Sequence, residues 1–362
     1  MSLTASAPGK LMLSGEYAVL DGAPALMVAV NRRAIARIDS GGARGSSPFL
    51  LAVASEIAAQ RGDGDPAARL ALQIAVDSRG FYDGTNKLGL GSSAAVTAAA
   101  VYLALATTDE HVSLADVHSV AAAAHGRAQA PMGARGSGAA VAAAIYDGVI
   151  EFSRGGEPLT TSGAWRVSKE HFATKSVANA AMPELVAMAR AEQMQPSANI
   201  QKRVWPKTVR LMTFFTGTSA STTTLVQRVQ AARAASPSTV EPALAALADA
   251  SRAACGAVIA PPDLSATALI GALALGAAAM DRLVAATGVE LVPDVVVRAR
   301  QALARYGGTA KTTGAGGGDL AIAVMPSAVD ATEIERVLIQ VGCRLVPLSV
   351  DETGVDLRPD AS

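Results

Sequence analysis

The chain has 362 residues, half of them hydrophobic, with aromatics at 4% and 31 basic residues set against 31 acidic ones. That length can bury a large core and suits two domains. A formal charge of zero gives no general attraction to nucleic acid or to an anionic membrane, so any anion site has to be local.

Residues 11–13 and 25–38 read as strands, the second rich in Val, Ile and Ala. Residues 49–60 carry helical spacing, the Gly- and Asp-rich run 62–66 breaks it, and 70–76 reads as a further strand. A helix is expected over 93–106. Ser113 with Asp116 three residues on predicts the start of another, reaching about 130. Its His118 and His125 lie seven apart on one face and, with no third ligand at a convincing spacing, read as packed or surface histidines.

A helix over 139–145 and a strand over 148–153 follow. Residues 155–207 show little periodicity beyond a helix near 184–194, and the domain boundary is set at 205. Past it come a strand over 209–216 and helices over 224–235, 240–258, 266–287 and 294–305. A loop over 311–319, a strand over 320–325, a helix over 331–341 and a strand over 344–350 complete the pattern, with a polar tail expected to fray from Asp351.

Cys255 and Cys343 fit no metal or redox spacing, which suits a reducing compartment. The N-terminus has no basic stretch followed by an apolar core, so no signal peptide is expected and the chain is assigned to the cytoplasm. The uncharged runs 88–108 and 264–280 are rich in alanine and read as buried helices rather than membrane spans.

Three glycine-bearing segments stand out. Pro8-Gly-Lys-Leu-Met-Leu-Ser-Gly-Glu-Tyr-Ala-Val-Leu20 opens the chain, Leu88-Gly-Leu-Gly-Ser-Ser-Ala-Ala95 lies in its first third, and Lys311-Thr-Thr-Gly-Ala-Gly-Gly-Gly-Asp319 comes near its end. The middle one is a glycine turn feeding a helix. Such a turn presents unpaired N–H groups and the positive end of the helix dipole, which suits a phosphate.

In this order the three segments closely resemble the signature motifs of the GHMP kinase superfamily. The form Gly-Glu-Tyr-Ala-Val at 15–19 and Lys87 directly before the middle motif look most like its phosphomevalonate kinase branch. The resemblance implies a two-domain α+β fold, with an S5-like N-terminal domain over 1–205 and a ferredoxin-like C-terminal domain over 206–362. It implies ATP and Mg²⁺ as cofactors and ATP-dependent phosphorylation of 5-phosphomevalonate to 5-diphosphomevalonate. It also implies a monomer or homodimer whose partner is that small molecule, with no nucleic acid and no membrane.

Residue by residue, the resemblance assigns Lys87, Gly89, Leu90, Gly91, Ser92, Ser93 and Ala94 to the ATP phosphates, with Ser93 on Mg²⁺. Lys10 and position 140 carry the chemistry. Toward the acceptor it assigns Lys10, Ser14, Glu16, Tyr17, Arg135, Ser137 and Gly138 from the first half, and Ser219, Ser221, Thr222, Gly316 and Gly317 from the second. Lys87, Lys311 and Arg135 are the cations considered for the acceptor's own phosphate, and Asp319 is expected to hold its loop.

The chain departs from the pattern at one place. Relatives read Ser-Gly-x-Asp where this chain has Ser137-Gly138-Ala139-Ala140, and a methyl group cannot take a proton from an acceptor. The stretch 113–130 also lacks the glutamate that mevalonate kinases use for magnesium. The chain is then an inactive Asp-to-Ala form, an enzyme relying on Lys10 and positioning, or a relative without kinase chemistry. Another GHMP small-molecule kinase or decarboxylase of the mevalonate pathway, or a non-catalytic ligand-binding protein of this fold, are the alternatives.

Overall fold

Strand β1 (Leu3–Ser14) is the spine of the first half of the computed structural model, which describes residues 3–39, 47–133, 136–155 and 198–359. Its odd-numbered Ala5, Ala7, Leu11 and Leu13 are buried, the period of two that a strand with one core face requires. The strand pairs antiparallel with β2 (Ala25–Ile38), slipping register between Pro8 and Gly9, just before Lys10. From β2 the sheet continues to β3 (Ile74–Asp77), and to β6 (Val149–Arg154) and β7 (Ala198–Arg203). A hairpin of β4 (Tyr82–Asp83) and β5 (Asn86–Lys87) stands apart and delivers Lys87 to the middle motif.

Helices α1 (Pro48–Arg61), α2 (Pro66–Ala71), α3 (Ser92–Thr108), α4 (Leu114–Gln129) and α5 (Ala139–Ile145) pack with this sheet. The alanines of α3 let it lie close to β1 and β2: Ala94, Ala95, Ala98, Ala99, Ala100 and Ala104 are all buried. The Ser113–Asp116 pair forms a reciprocal capping box at the start of α4. The strand expected over 70–76 is corrected. Asp65 accepts from the Ala67 N–H and Pro66 occupies the first turn, so a short helix forms first and the strand begins at Ile74.

The second half builds an antiparallel sheet in the order β11 (Arg344–Leu345), β8 (Val209–Phe215), β10 (Leu320–Pro326), β9 (Thr309–Thr312). Its helices are α6 (Thr222–Ala235), α7 (Pro237–Ala257), α8 (Pro262–Thr287), α9 (Asp294–Ala304) and α10 (Ala331–Gln340). Phe214, Val296, Leu303, Ile334 and Leu338 join α9 and α10 to the sheet, while Val229, Leu244 and Leu283 join α6, α7 and α8. Helix α8 is long and apolar enough to cross a membrane over Leu264–Thr287, yet half of that window is buried inside the fold. Cys255 and Cys343 are separate buried thiols.

Three further expectations change. The tail does not fray at Asp351: that residue is buried and paired with Arg33, Val350 bridges to Val30, and β12 (Asp356–Pro359) pairs with β1. The C-terminus thus returns to the first sheet. Lys311 lies in β9 rather than in a loop. Strand 344–350 is regular only over its first two residues. The helix expected near 184–194 lies outside the described residues.

Candidate active site

The middle motif is pegged by two buried leucines, Leu88 and Leu90, so the glycines between and after them are presented outward. Gly89 and Gly91 both adopt left-handed φ, 69° and 73°. A Cβ on Gly91 would sit 3.0 Å from Cε of Lys10, and one on Gly89 would sit 2.6 Å from Cβ of Asp319. The loop is therefore wedged between the first and third motifs, and only glycine fits there. The Lys10 N–H donates to the Leu90 carbonyl at 2.9 Å, which ties β1 to the loop.

Helix α3 then starts at Ser92. Ala94 is turned into the core and its N–H bonds back to Gly91, leaving the groups before it as the first-turn donors. Seventeen residues of helix aim their positive end at this point.

Lys10 is half-buried and donates from Nζ to the Gly89 carbonyl at 3.4 Å. Burial pulls its pKa below the ordinary lysine value, the carboxylates of Asp319 and Glu16 oppose that, and Lys87 adds to it. Asp319 holds a left-handed φ of 56°, rare for a residue with a side chain. Its carboxyl pKa is raised by burial, against the Ala220 N–H, the Ser219 hydroxyl and the charges of Lys87 and Lys10. Its Oδ1 is buried with no partner. Ser93, half-buried, places Oγ 3.0 Å from Nε2 of His125. Lys87 is exposed.

The first and third motifs are joined behind this face by a buried ion pair. Lys311 binds the Glu16 carboxylate and also donates to the carbonyls of Leu13 at 3.0 Å and Thr312 at 2.9 Å. Tyr17, whose φ of 56° is as unusual as that of Asp319, donates its hydroxyl to the Ala315 carbonyl at 2.7 Å. Ser14 is buried, its Oγ 3.0 Å from that of Ser251 on α7.

The polar groups of Ser14, Glu16 and Tyr17, expected toward the acceptor, are bonded within the protein here, and Lys311, considered for the acceptor phosphate, is held by Glu16 in the same way. The N–H groups of Gly316 and Gly317 donate to the carbonyls of Thr313 at 3.3 Å and Leu291 at 2.7 Å.

The remaining residues stay at the surface of the site. Ser137 Oγ accepts from the Ala139 N–H at 3.2 Å, and Gly138, with φ 89°, caps α5. Ala140 is the second residue of that helix, half-buried against the main core, and α5 packs on the strand that carries Lys10. Arg135 lies outside the described residues. Ser219 is exposed with its hydroxyl 3.5 Å from the Lys87 carbonyl, Ser221 caps α6, and Thr222 is exposed at its first turn.

His125 reads from the sequence as a packed or surface residue. Its ring does stack on Phe49, but Ser93, 32 residues away, holds its edge. The seven-residue spacing to His118 places it on a helix face and does not say which helix that face meets.

The arrangement fits a nucleotide's phosphates. It offers two left-handed glycines, a helix N-terminus, and cations on either side. Among the described residues no three His, Cys, Asp or Glu side chains cluster as a metal site. The Ser93 hydroxyl is an oxygen that a Mg²⁺ carried on such phosphates could take as a ligand, as that hard cation prefers.

No family model matches the chain. A phosphomevalonate kinase from Streptomyces sp. (strain CL190) is 26% identical over 399 residues, covering 96% of this chain and 97% of its own. A Lin0012 protein from Listeria innocua superposes with a TM-score of 0.76 at 20% identity, over 99% of this chain and 100% of that one. Streptococcus pneumoniae phosphomevalonate kinase in complex with phosphomevalonate and AMPPNP gives 0.66 at 18%, over 96% and 99%. L. major mevalonate kinase in complex with R-mevalonate gives 0.62 at 15%, over 96% of each chain. The chain has the mixed α+β fold of the GHMP kinases over nearly its whole length, and its likeness in sequence to a phosphomevalonate kinase spans the same residues.

Proposed function

We propose that the chain transfers the γ-phosphoryl group of ATP to 5-phosphomevalonate, giving 5-diphosphomevalonate and ADP. The Streptomyces relative and the Streptococcus fold both support a mevalonate-pathway kinase. What supports the finer reading is Ala140, which stands where the resembled motif has its aspartate, in a chain that keeps the glycine loop and its helix N-terminus. An alcohol acceptor must lose a proton as it attacks, and a positioned base supplies about 10²–10⁴-fold of that reaction. A phosphate monoester has a second pKa of about 6, so most of its attacking oxygens are already ionised at pH 7. Such an acceptor needs no base, and a carboxylate beside it would repel it. The absence of a carboxylate at 140 therefore suits the phosphorylated acceptor.

The task left to the protein is to bring two anions together and hold them in line. The first-turn N–H groups of α3 and the glycine loop would cradle the nucleotide phosphates, and Mg²⁺, when bound, neutralises charge on them. Lys10 would sit between donor and acceptor, where negative charge is densest. Ser219 and Thr222 from the second half of the chain and Lys87 from the first would hold the acceptor's phosphate, with Arg135 as a further cation. The acceptor oxygen forms its bond to the γ-phosphorus as the bridging bond breaks, and ADP leaves with the electron pair. On this reading the site lies between two domains that divide near residue 205, with the C-terminal strand returned to the first.

The test is a panel of acceptors with Mg-ATP followed by ³¹P NMR. Phosphomevalonate should yield the coupled doublets of a new diphosphate, and mevalonate should not react. A preference for mevalonate overturns the reading, and nucleotide binding without turnover on any acceptor returns the chain to a ligand-binding role.

A further inference from the structure

Helix α4 carries one acidic residue, Asp116, and that is spent in its own capping box. Near its other end His125 is buried, its ring stacked on Phe49 of α1 with centroids 5.4 Å apart and planes 28° from parallel. Phe49 fixes the face of the ring and Ser93 meets its edge, Oγ to Nε2 at 3.0 Å. This histidine thus reaches across from α4 to the second residue of the helix that opens the glycine loop. The Ser93 carbonyl, meanwhile, accepts from the Thr97 hydroxyl at 2.9 Å, so Thr97 bonds the serine's backbone and His125 its hydroxyl.

We propose that His125 is a positioning residue: it accepts the Ser93 hydroxyl hydrogen and so turns the oxygen's lone pairs toward the cation that travels with ATP. The proposal rests on reading 87–94 as the ATP phosphate loop. A serine hydroxyl has one hydrogen and two lone pairs, and a metal ligand must present a lone pair. Left alone, Oγ is spread over staggered rotamers, two of which waste the oxygen. With its hydrogen held by Nε2, Oγ is fixed with both lone pairs directed away from α4. A carboxylate partner would orient the serine equally well but would add a negative charge beside the phosphates, whereas an imidazole acceptor adds none. Outer partners that orient a metal ligand in this way typically contribute about 10–100-fold in metal affinity.

The test is calorimetric titration of the intact chain with ATP, in excess Mg²⁺ and again in EDTA, and it needs no acceptor. The variants are His125→Phe, which keeps a ring on Phe49 but carries no nitrogen, Ser93→Ala, and the two combined. In each single variant the ratio of ATP affinity in excess Mg²⁺ to that in EDTA should fall by about tenfold. The double variant should be no weaker than Ser93→Ala, because the histidine acts through the serine. His125→Leu repeats the test should the Phe variant melt early.

Unchanged magnesium dependence in His125→Phe, or losses that add in the double variant, overturns the proposal. A wild type that binds no ATP in either buffer overturns the phosphate-loop reading and the proposal with it. A wild type that binds Mg-ATP tightly but ignores phosphomevalonate contradicts the assigned reaction alone.

Discussion

Lys311 and Lys10 are lysines on strands that meet at the same motifs, and the fold treats them in opposite ways. Lys311 is 1% exposed, and its ammonium is bonded to Glu16 and to the carbonyls of Leu13 and Thr312. An ammonium has three hydrogens to give, so Lys311 is complete. Lys10 has, among the described residues, one long bond to Gly89, and it feels the Asp319 carboxylate, whose Oδ1 lacks a partner. The first lysine closes a joint between two motifs. The second keeps donors in reserve, which is the condition for receiving a ligand's oxygens. A charge inside a signature motif is thus chemical only where the protein leaves it unfinished.

The largest effect expected from this contrast is on stability. Lys311→Met would leave Glu16 buried without its counter-charge and should cost about 3–5 kcal/mol in chemical denaturation. Adding Glu16→Gln should recover most of that loss. Wild-type stability in the single variant would show that the pair holds nothing.

Lys10→Met should do the reverse. Removing a cation that burial already disfavours should leave the melting temperature unchanged or higher, while kcat falls by about 10²–10³, the usual loss for one preorganised charge. Full turnover in that variant would place the chemistry elsewhere.

Gly91→Val comes next. Its φ of 73° and the 3.0 Å approach to Lys10 leave no room for a branched side chain, so the loop must shift. Calorimetry should show ATP binding weaker by about tenfold, equivalent to about 1.4 kcal/mol, in a chain that still melts cooperatively.

The smallest effect lies in acid. Burial pushes the His118 pKa down to about 4, from the 6.5 of a free imidazole. Between those values the unfolded chain holds a proton that the folded chain does not, so stability falls as pH drops from 6.5 toward 4 and is unaffected above 7. His118→Phe should give a shallower acid limb in melting temperature against pH. An identical limb would mean that His118 is already protonated in the fold.

The parts legible in the sequence are those that short stretches decide. The Ser113–Asp116 cap, the glycine turn before Ser92 and strand β8 each need only a few neighbours, and each is found where expected. The apolar run at 70–76 misled because Asp65 and Pro66, just upstream, start a helix that takes Leu70 and Ala71 and delays the strand to Ile74. The side-chain contacts of Glu16, Tyr17 and His125 join residues 295, 298 and 32 positions apart. No local pattern encodes such partners. The polar tail looked dispensable for the same reason, although Arg33 and β1 are waiting for it.

The central claim is that this site transfers phosphate to an acceptor that arrives ionised, and Ala140→Asp tests it most directly. Steady-state kinetics of the two proteins, with phosphomevalonate and mevalonate in turn, would be measured with ATP saturating. The account predicts a wild type that turns over phosphomevalonate at a rate the new carboxylate leaves unchanged or lowers. Mevalonate, an alcohol, should gain part or all of the roughly 10²–10⁴-fold that a base supplies. Phosphomevalonate turnover that is absent in the wild type and appears only with the aspartate would contradict it, and the chain would be an enzyme disabled at one residue.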